Sequence, residues 1–145
     1  MTKGRIITKD SEIKDILENI KTIAILGLSP KPDRDSFKVA QYLKNQGYEI
    51  IPVRPAQKEI LGQKVYKSLD EIETSVDLVD AFRASDQIKG HIQELIRLKP
   101  KFFWMQLGIE NHEAAEELTK VGIDVVMNRC IKVDHGNLIK KKIIV

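Results

Sequence analysis

A chain of 145 residues has the size of one domain, with enough length to bury a core between a sheet and two helix layers and too little for a second full domain. Apolar residues at 42% and charged residues at 31% exclude a disordered or fibrous chain, and a formal charge of +3, with lysines scattered along the sequence, argues against a dedicated nucleic-acid binder. The single cysteine, Cys130, excludes an intramolecular disulfide framework; with no signal peptide ahead of the folded pattern and no apolar run near the roughly 20 residues of a membrane helix, the expectation is a cytoplasmic protein.

In chain order, Ile13, Ile16, Leu17 and Ile20 recur at helical spacing over 10–21, with Asp10 or Ser11 available to cap the first turn. Residues 1–20 therefore read as an N-terminal helical extension before a main domain over 21–145. Residues 22–27 form a short apolar run ending in glycine, as expected of a strand covered on both faces. After a loop rich in proline and charge, Phe37, Val39, Ala40 and Leu43 give a helical face that stops near Gly47, and 48–53 reads as a second strand.

The segment 57–73 interrupts this rhythm with a Leu61-Gly62 turn, a short Lys64-Val65-Tyr66 extension and Ser68 placed to cap a turn at 69–73. Alternation then resumes: strand 76–82, helix 86–98, strand 102–107, helix 111–120, strand 123–127. Strands alternating with helices need right-handed crossovers, so the expected fold is α/β, a doubly wound five-stranded parallel sheet with helices on both faces in one domain. The Lys140-Lys141-Lys142 run reads as a solvated tail.

Open parallel sheets bind ligands beyond the carboxyl ends of the strands, where strand order reverses. The first such loop begins Gly27-Leu28-Ser29 and continues to Arg34 and Ser36. Gly27 allows close backbone approach, and the amides entering the next helix favour phosphate, although the loop has one glycine where a dinucleotide fingerprint has three. An NAD enzyme normally carries a carboxylate at the end of the second strand; Arg54 stands there, which suits a phosphorylated ribose, as in NADP or coenzyme A, and equally suits a surface arginine. Arg34, Arg54, Arg83 and Arg129 all fall in strand-end loops, a distribution that suggests a polyphosphate ligand.

Cys130 has two readings, a buried inert thiol or a reactive one beside Arg129. His91, His112 and His135 lack metal-ligand spacing and read as surface residues, with His112 at the start of a helix. No G-x-S-x-G elbow and no spaced carboxylate pair is visible.

Taken together, Ile25-Leu26-Gly27-Leu28-Ser29-Pro30, Ile51-Pro52-Val53-Arg54-Pro55, Ile60-Leu61-Gly62-Gln63-Lys64-Val65-Tyr66, Val76-Asp77-Leu78-Val79-Asp80-Ala81-Phe82-Arg83, Trp104-Met105-Gln106-Leu107-Gly108 and Val125-Val126-Met127-Asn128-Arg129-Cys130 give a chain that closely resembles the small, stand-alone CoA-binding proteins with a Rossmann-like fold. That family is similar to the nucleotide-binding domain of the succinyl-CoA synthetase α subunit, without its histidine-bearing domain. The resemblance implies coenzyme A or an acyl-CoA as ligand. It places Gly27, Ser29 and Arg34 at the pyrophosphate, with Leu28 of the same loop also among the ligand-binding residues, Val53, Arg54 and Pro55 at the adenosine, and Phe82, Arg83, Gln106 and Gly108 along the remaining cleft, with Arg129 and Cys130 closing its far side. Three departures stand out: Leu107 where an acidic residue is common, Ala84-Ser85 for a frequent proline pair, and Asn128 for a frequent aspartate.

The expectation is thus a CoA-binding module without catalysis of its own and with a small-molecule partner, neither nucleic acid nor membrane; a homo-oligomer or a protein partner stays open. The alternatives are an NADP-dependent reductase, an acyl-CoA enzyme completed by a partner, and a thiol redox sensor acting through Cys130.

Overall fold

Five apolar runs with little polar content can satisfy their backbones only against one another, and in the computed structural model they do so as one parallel sheet. The structure describes residues 3–139; the lysine run expected as a tail lies outside them. The strands are β1 (Thr22–Leu26), β2 (Glu49–Val53), a short antiparallel pair β3 (Glu59–Ile60) and β4 (Gln63–Lys64), then β5 (Leu78–Ala81), β6 (Phe102–Met105) and β7 (Asp124–Val126). The large sheet has the order β2-β1-β5-β6-β7, every neighbour parallel, so this is the expected doubly wound, Rossmann-like fold.

Alternation along each strand divides the core into two layers. Ile23 and Ile25 of β1, Ile50 of β2, Leu78 of β5, Trp104 of β6 and Val126 of β7 face the helices α1 (Asp10–Asn19), α2 (Asp35–Asn45) and α5 (Ile131–Leu138). Ala24, Leu26, Val53, Val79, Ala81, Phe103 and Met105 face α3 (Ile92–Leu98) and α4 (His112–Lys120). The fully buried Trp104 keeps its indole N–H satisfied by donating to the Arg129 carbonyl at 2.7 Å.

Several elements differ from the sequence reading. The helix expected over 86–98 is a 3-10 stretch (Ser85–His91) that becomes α-helical only at Ile92. Helix α5 was not among the expected elements, because the positions it buries are Ile131, Asp134 and His135, so the apolar periodicity that marks a helix is missing. His135, read as a surface residue, is 7% exposed, hydrogen-bonds the Tyr42 hydroxyl through Nδ1 at 2.9 Å and meets the rings of Tyr42 and Tyr48 edge-on. Burial holds its pKa below the ordinary value.

Neither proposed cap of α1 acts as one: the N-cap is Lys9, and Asp10 sits in the first turn with its carboxylate on Arg129. Ser68 likewise makes no capping bond to the 3-10 turn (Leu69–Glu71). Within 57–73 the chain instead folds back as the β3–β4 hairpin, with Leu61 and Gly62 both at positive φ, the geometry a two-residue hairpin turn demands.

The amino-terminal segment shares the core of the chain that follows it. Ile6 bridges Val125, Ile7 N–H donates to the Val125 carbonyl at 2.8 Å, and Val125 N–H donates to the Arg5 carbonyl at 2.9 Å, so the segment lies along the outer edge of β7. Ile13 and Leu17 of α1 then join the layer that holds α2 and α5.

One residue breaks the apolar rule. Asp80 lies in the middle of the sheet between Ile25 and Trp104, fully buried, and neither carboxyl oxygen has a hydrogen-bond partner among the described residues. Burial pushes this carboxyl well above the usual carboxylate range, so the native chain keeps a proton that the unfolded chain loses above about pH 4. The resulting stability is complete below about pH 4 and is lost as pH rises through the native pKa. An Asp80→Asn variant, which mimics the neutral acid, should gain melting temperature relative to the wild type as pH is raised from about 4 to about 8. A gap between the two proteins that stays constant with pH would show that the carboxyl is not held neutral.

Candidate functional site

Strand order reverses between β1 and β5, because the crossover after β1 leads to one side and the chain returning from β2 must pass to the other. The loops leaving these two strands therefore diverge, and a crevice opens between them. Gly27 ends β1 at φ +85°, and a Cβ there would sit 2.6 Å from the Phe82 carbonyl oxygen at the end of β5. Both the dihedral and the close approach require glycine.

Beyond Gly27 the loop is fixed by its own polar groups. Ser29, 8% exposed, donates its N–H to Ser36 Oγ at 2.9 Å and accepts from the Lys31 N–H through Oγ at 3.1 Å. The N-cap of α2 is Arg34, which offers no capping oxygen, so the first turn of that helix carries amide groups that no side chain caps. Such a terminus favours an anion.

Three adjoining hollows lie along the carboxyl ends of the strands. The first, about 820 Å³, is lined by Gly27, Ser29, Lys31, Arg34, Arg54 and Phe82, with Asp33, Asp35 and Gln57 also on its walls. A second, about 570 Å³, shares Asp35 and Phe82 with it and is the more apolar, with Val39, Ile109 and Val133 beside Arg83, Gln106 and Cys130. The third, about 290 Å³, shares Gly27 with the first and Arg83 with the second, and adds Val53, Pro55, Lys67, His91 and Glu94.

Most residues expected from the sequence come together here, with three exceptions. Leu28 is fully buried beneath the loop and lines none of these hollows. Gly108, at φ +85°, is turned to the Asn128 side chain, whose Oδ1 accepts its N–H at 2.7 Å. Asn128 itself holds φ +57°, a conformation asparagine tolerates better than most side chains.

Arg129 is the larger correction: it does not join the other three arginines. Its guanidinium donates to both oxygens of Asp134, at 2.7 and 3.1 Å, to Asp10 at 2.7 Å and to the Thr8 carbonyl at 3.2 Å. The Asp134 hydrogen bonds, helped by Asp10 and against partial burial, hold its pKa above the ordinary arginine value. The residue braces the start of α1 against α5. Gln106 has a comparable dual place, since it lines the second hollow while its Oε1 accepts the Ile131 N–H at 3.2 Å. Cys130 lies at the N-cap of α5 on the wall of the same hollow.

His91 and Glu94 were missed by the sequence reading, which took His91 for a surface residue. The signal was weak because the turn that carries His91 is 3-10 and breaks the helical register. Among the described residues no cluster of three potential metal ligands occurs, and no helix is long and apolar enough to cross a membrane.

Comparison with known proteins bears on this geometry. Residues 21–136 match a family model described as a CoA binding domain. An uncharacterized Bacillus subtilis protein, YneT, is 45% identical over 126 residues, covering 87% of this chain and 93% of its own length. The alpha subunit of an ADP-forming acetate–CoA ligase II from Pyrococcus furiosus is 38% identical over 65 residues, which is 44% of this chain but 14% of that subunit. A solved structure from Thermus thermophilus is 37% identical with a TM-score of 0.87, covering 90% of this chain and 99% of its own.

The Gly27 contact makes a definite demand. Gly27→Ala should cost about 1–3 kcal/mol in urea unfolding, since the left-handed dihedral and the Phe82 carbonyl both resist a Cβ. An unchanged denaturation midpoint would mean that the two strand ends do not approach as described.

Proposed function

This chain belongs to the CoA binding domain family, and on that premise we propose that it binds coenzyme A across the three hollows at the carboxyl ends of its strands. The observation that carries the reading is the meeting of Arg34 and Arg54, from loops after different strands, on one hollow that also holds the uncapped terminus of α2. Two guanidinium groups and a helix terminus form a receptor for phosphate esters. Arg34 and the Gly27–Ser29 turn would take the diphosphate, and Arg54 the 3′-phosphate on the ribose. Val53 and Pro55 offer apolar surface to the adenosine. The more apolar second hollow would receive the pantetheine arm, ending between Gln106 and Cys130.

This is a binding role without chemistry of its own, and an acyl group on the thiol would extend into the second hollow beside Val133 and Ile109. The ligase relative named for acetate and CoA supports the choice of ligand class, and the match spans 14% of that subunit. A second reading follows from Arg54 alone: a cation at the end of β2 also suits the 2′-phosphate of NADP.

Titration calorimetry with CoA, 3′-dephospho-CoA and NADPH separates these readings. CoA should bind, dephospho-CoA should bind on the order of tenfold more weakly, and Arg54→Ala should weaken CoA by a similar factor while leaving dephospho-CoA little changed. Equal affinity for CoA and dephospho-CoA would remove Arg54 from the 3′-phosphate. Binding of NADPH in preference to CoA would favour the dinucleotide reading.

A further inference from the structure

Arg83, His91 and Glu94 line the third hollow together and are joined in a chain of hydrogen bonds. Arg83 Nε donates to His91 Nε2 at 3.2 Å, and His91 Nδ1 lies 2.6 Å from Glu94 Oε1. With Arg83 Nε as the donor, Nε2 takes the acceptor role in this geometry, which leaves Nδ1–H to donate to Glu94. The histidine and glutamate side chains are sheltered, 19% and 13% exposed. His91 closes the 3-10 stretch and Glu94 follows one turn later on α3, so the i,i+3 spacing brings them together locally.

What distinguishes this arrangement is what it leaves free. A carboxylate placed directly on a guanidinium takes its fork, as Asp134 does with Nε and Nη2 of Arg129. Here the imidazole stands between the two charges and occupies Nε alone. Arg83 Nη1 and Nη2 form no hydrogen bond or ion pair with any of the described residues, and the Arg83 stem passes over Gly27, its Cδ 3.4 Å from where a Cβ would be. The guanidinium is thereby fixed where the second and third hollows meet, with its outer edge available. Glu94, accepting from Nδ1–H, also makes Nε2 a better acceptor, which strengthens the hold on Arg83.

We propose that His91 and Glu94 are positioning residues: they hold Arg83 so that its free Nη groups receive a phosphate oxygen of bound CoA. The inference rests on the CoA reading of the site. Fixing the side chain before the ligand arrives lowers the ordering cost of binding, since a long, rotamer-rich arginine would otherwise be immobilised in the complex.

The test is calorimetry with CoA on the wild type, His91→Ala and His91→Gln, together with ¹⁵N spectra of the histidine ring in the wild type. Removing the ring should weaken CoA by about tenfold. Glutamine, whose amide carries both an acceptor for Arg83 and a donor for Glu94, should restore most of the affinity. The His91 Nε2 resonance should report the unprotonated tautomer and shift when CoA is added. Wild type that does not bind CoA overturns the ligand reading and this proposal with it. Wild type that binds CoA, with His91→Ala binding equally well, overturns the positioning role alone, as does a glutamine variant no better than alanine when all three proteins melt alike.

Discussion

The Phe82 carbonyl oxygen lies where a side chain on Gly27 would have to go, and this contact at the reversal of strand order fixes the geometry of the site. Parallel strands joined by right-handed crossovers leave a crevice wherever successive connections move apart. Here the crevice is narrow at its base because the two strand ends touch through backbone, and it widens into three hollows as the loops diverge. Residues with no sequence proximity, such as Arg34 and Arg54, reach one hollow because the sheet carries their loops to the same edge.

Electrostatic commitments then sort the arginines. Four stand in strand-end loops, and the difference among them lies in whether a carboxylate reaches the guanidinium first. Arg129 meets Asp10 and Asp134 and becomes a brace between α1 and α5. Arg83 meets a histidine that intervenes before Glu94, so it is held without being consumed. Arg34 and Arg54 line the first hollow, where Lys31 adds positive charge and Asp33 and Asp35 moderate it. Buried charge follows the same logic in reverse at Asp80, where the sheet interior supplies no partner among the described residues and burial pushes the carboxyl pKa up instead.

How much of this was legible in the sequence depends on whether a signal was local. The apolar runs of β1 and β5 and the repeating face of α2 declare themselves within a few residues, since burial on both faces or on one stripe leaves a pattern in the side chains. Helix α5 left no such pattern, because Asp134 and His135 occupy inward positions, where they are satisfied by Arg129 just ahead of the helix and by Tyr42 of α2. The β3–β4 hairpin was visible as a Leu61-Gly62 turn and a short extension at Lys64-Val65-Tyr66, its strands being two residues each. His91 looked like a surface histidine because the 3-10 stretch that brings Arg83 and Glu94 onto its two ring nitrogens leaves no helical periodicity to read.

The amino-acid order by itself determined the alternation of strands and helices, hence a parallel sheet and a crevice at its carboxyl edge, and it marked Gly27 and the strand-end arginines as residues of that edge. Those are consequences of periodicity and of chain connectivity, which act over short stretches or follow from counting elements. Which arginines remain open to a ligand was decided only by tertiary structure. Arg129 is claimed by Asp134, five positions later, and by Asp10, 119 positions earlier, and the second of these ion pairs exists only after β7, α5 and the amino-terminal segment have packed together.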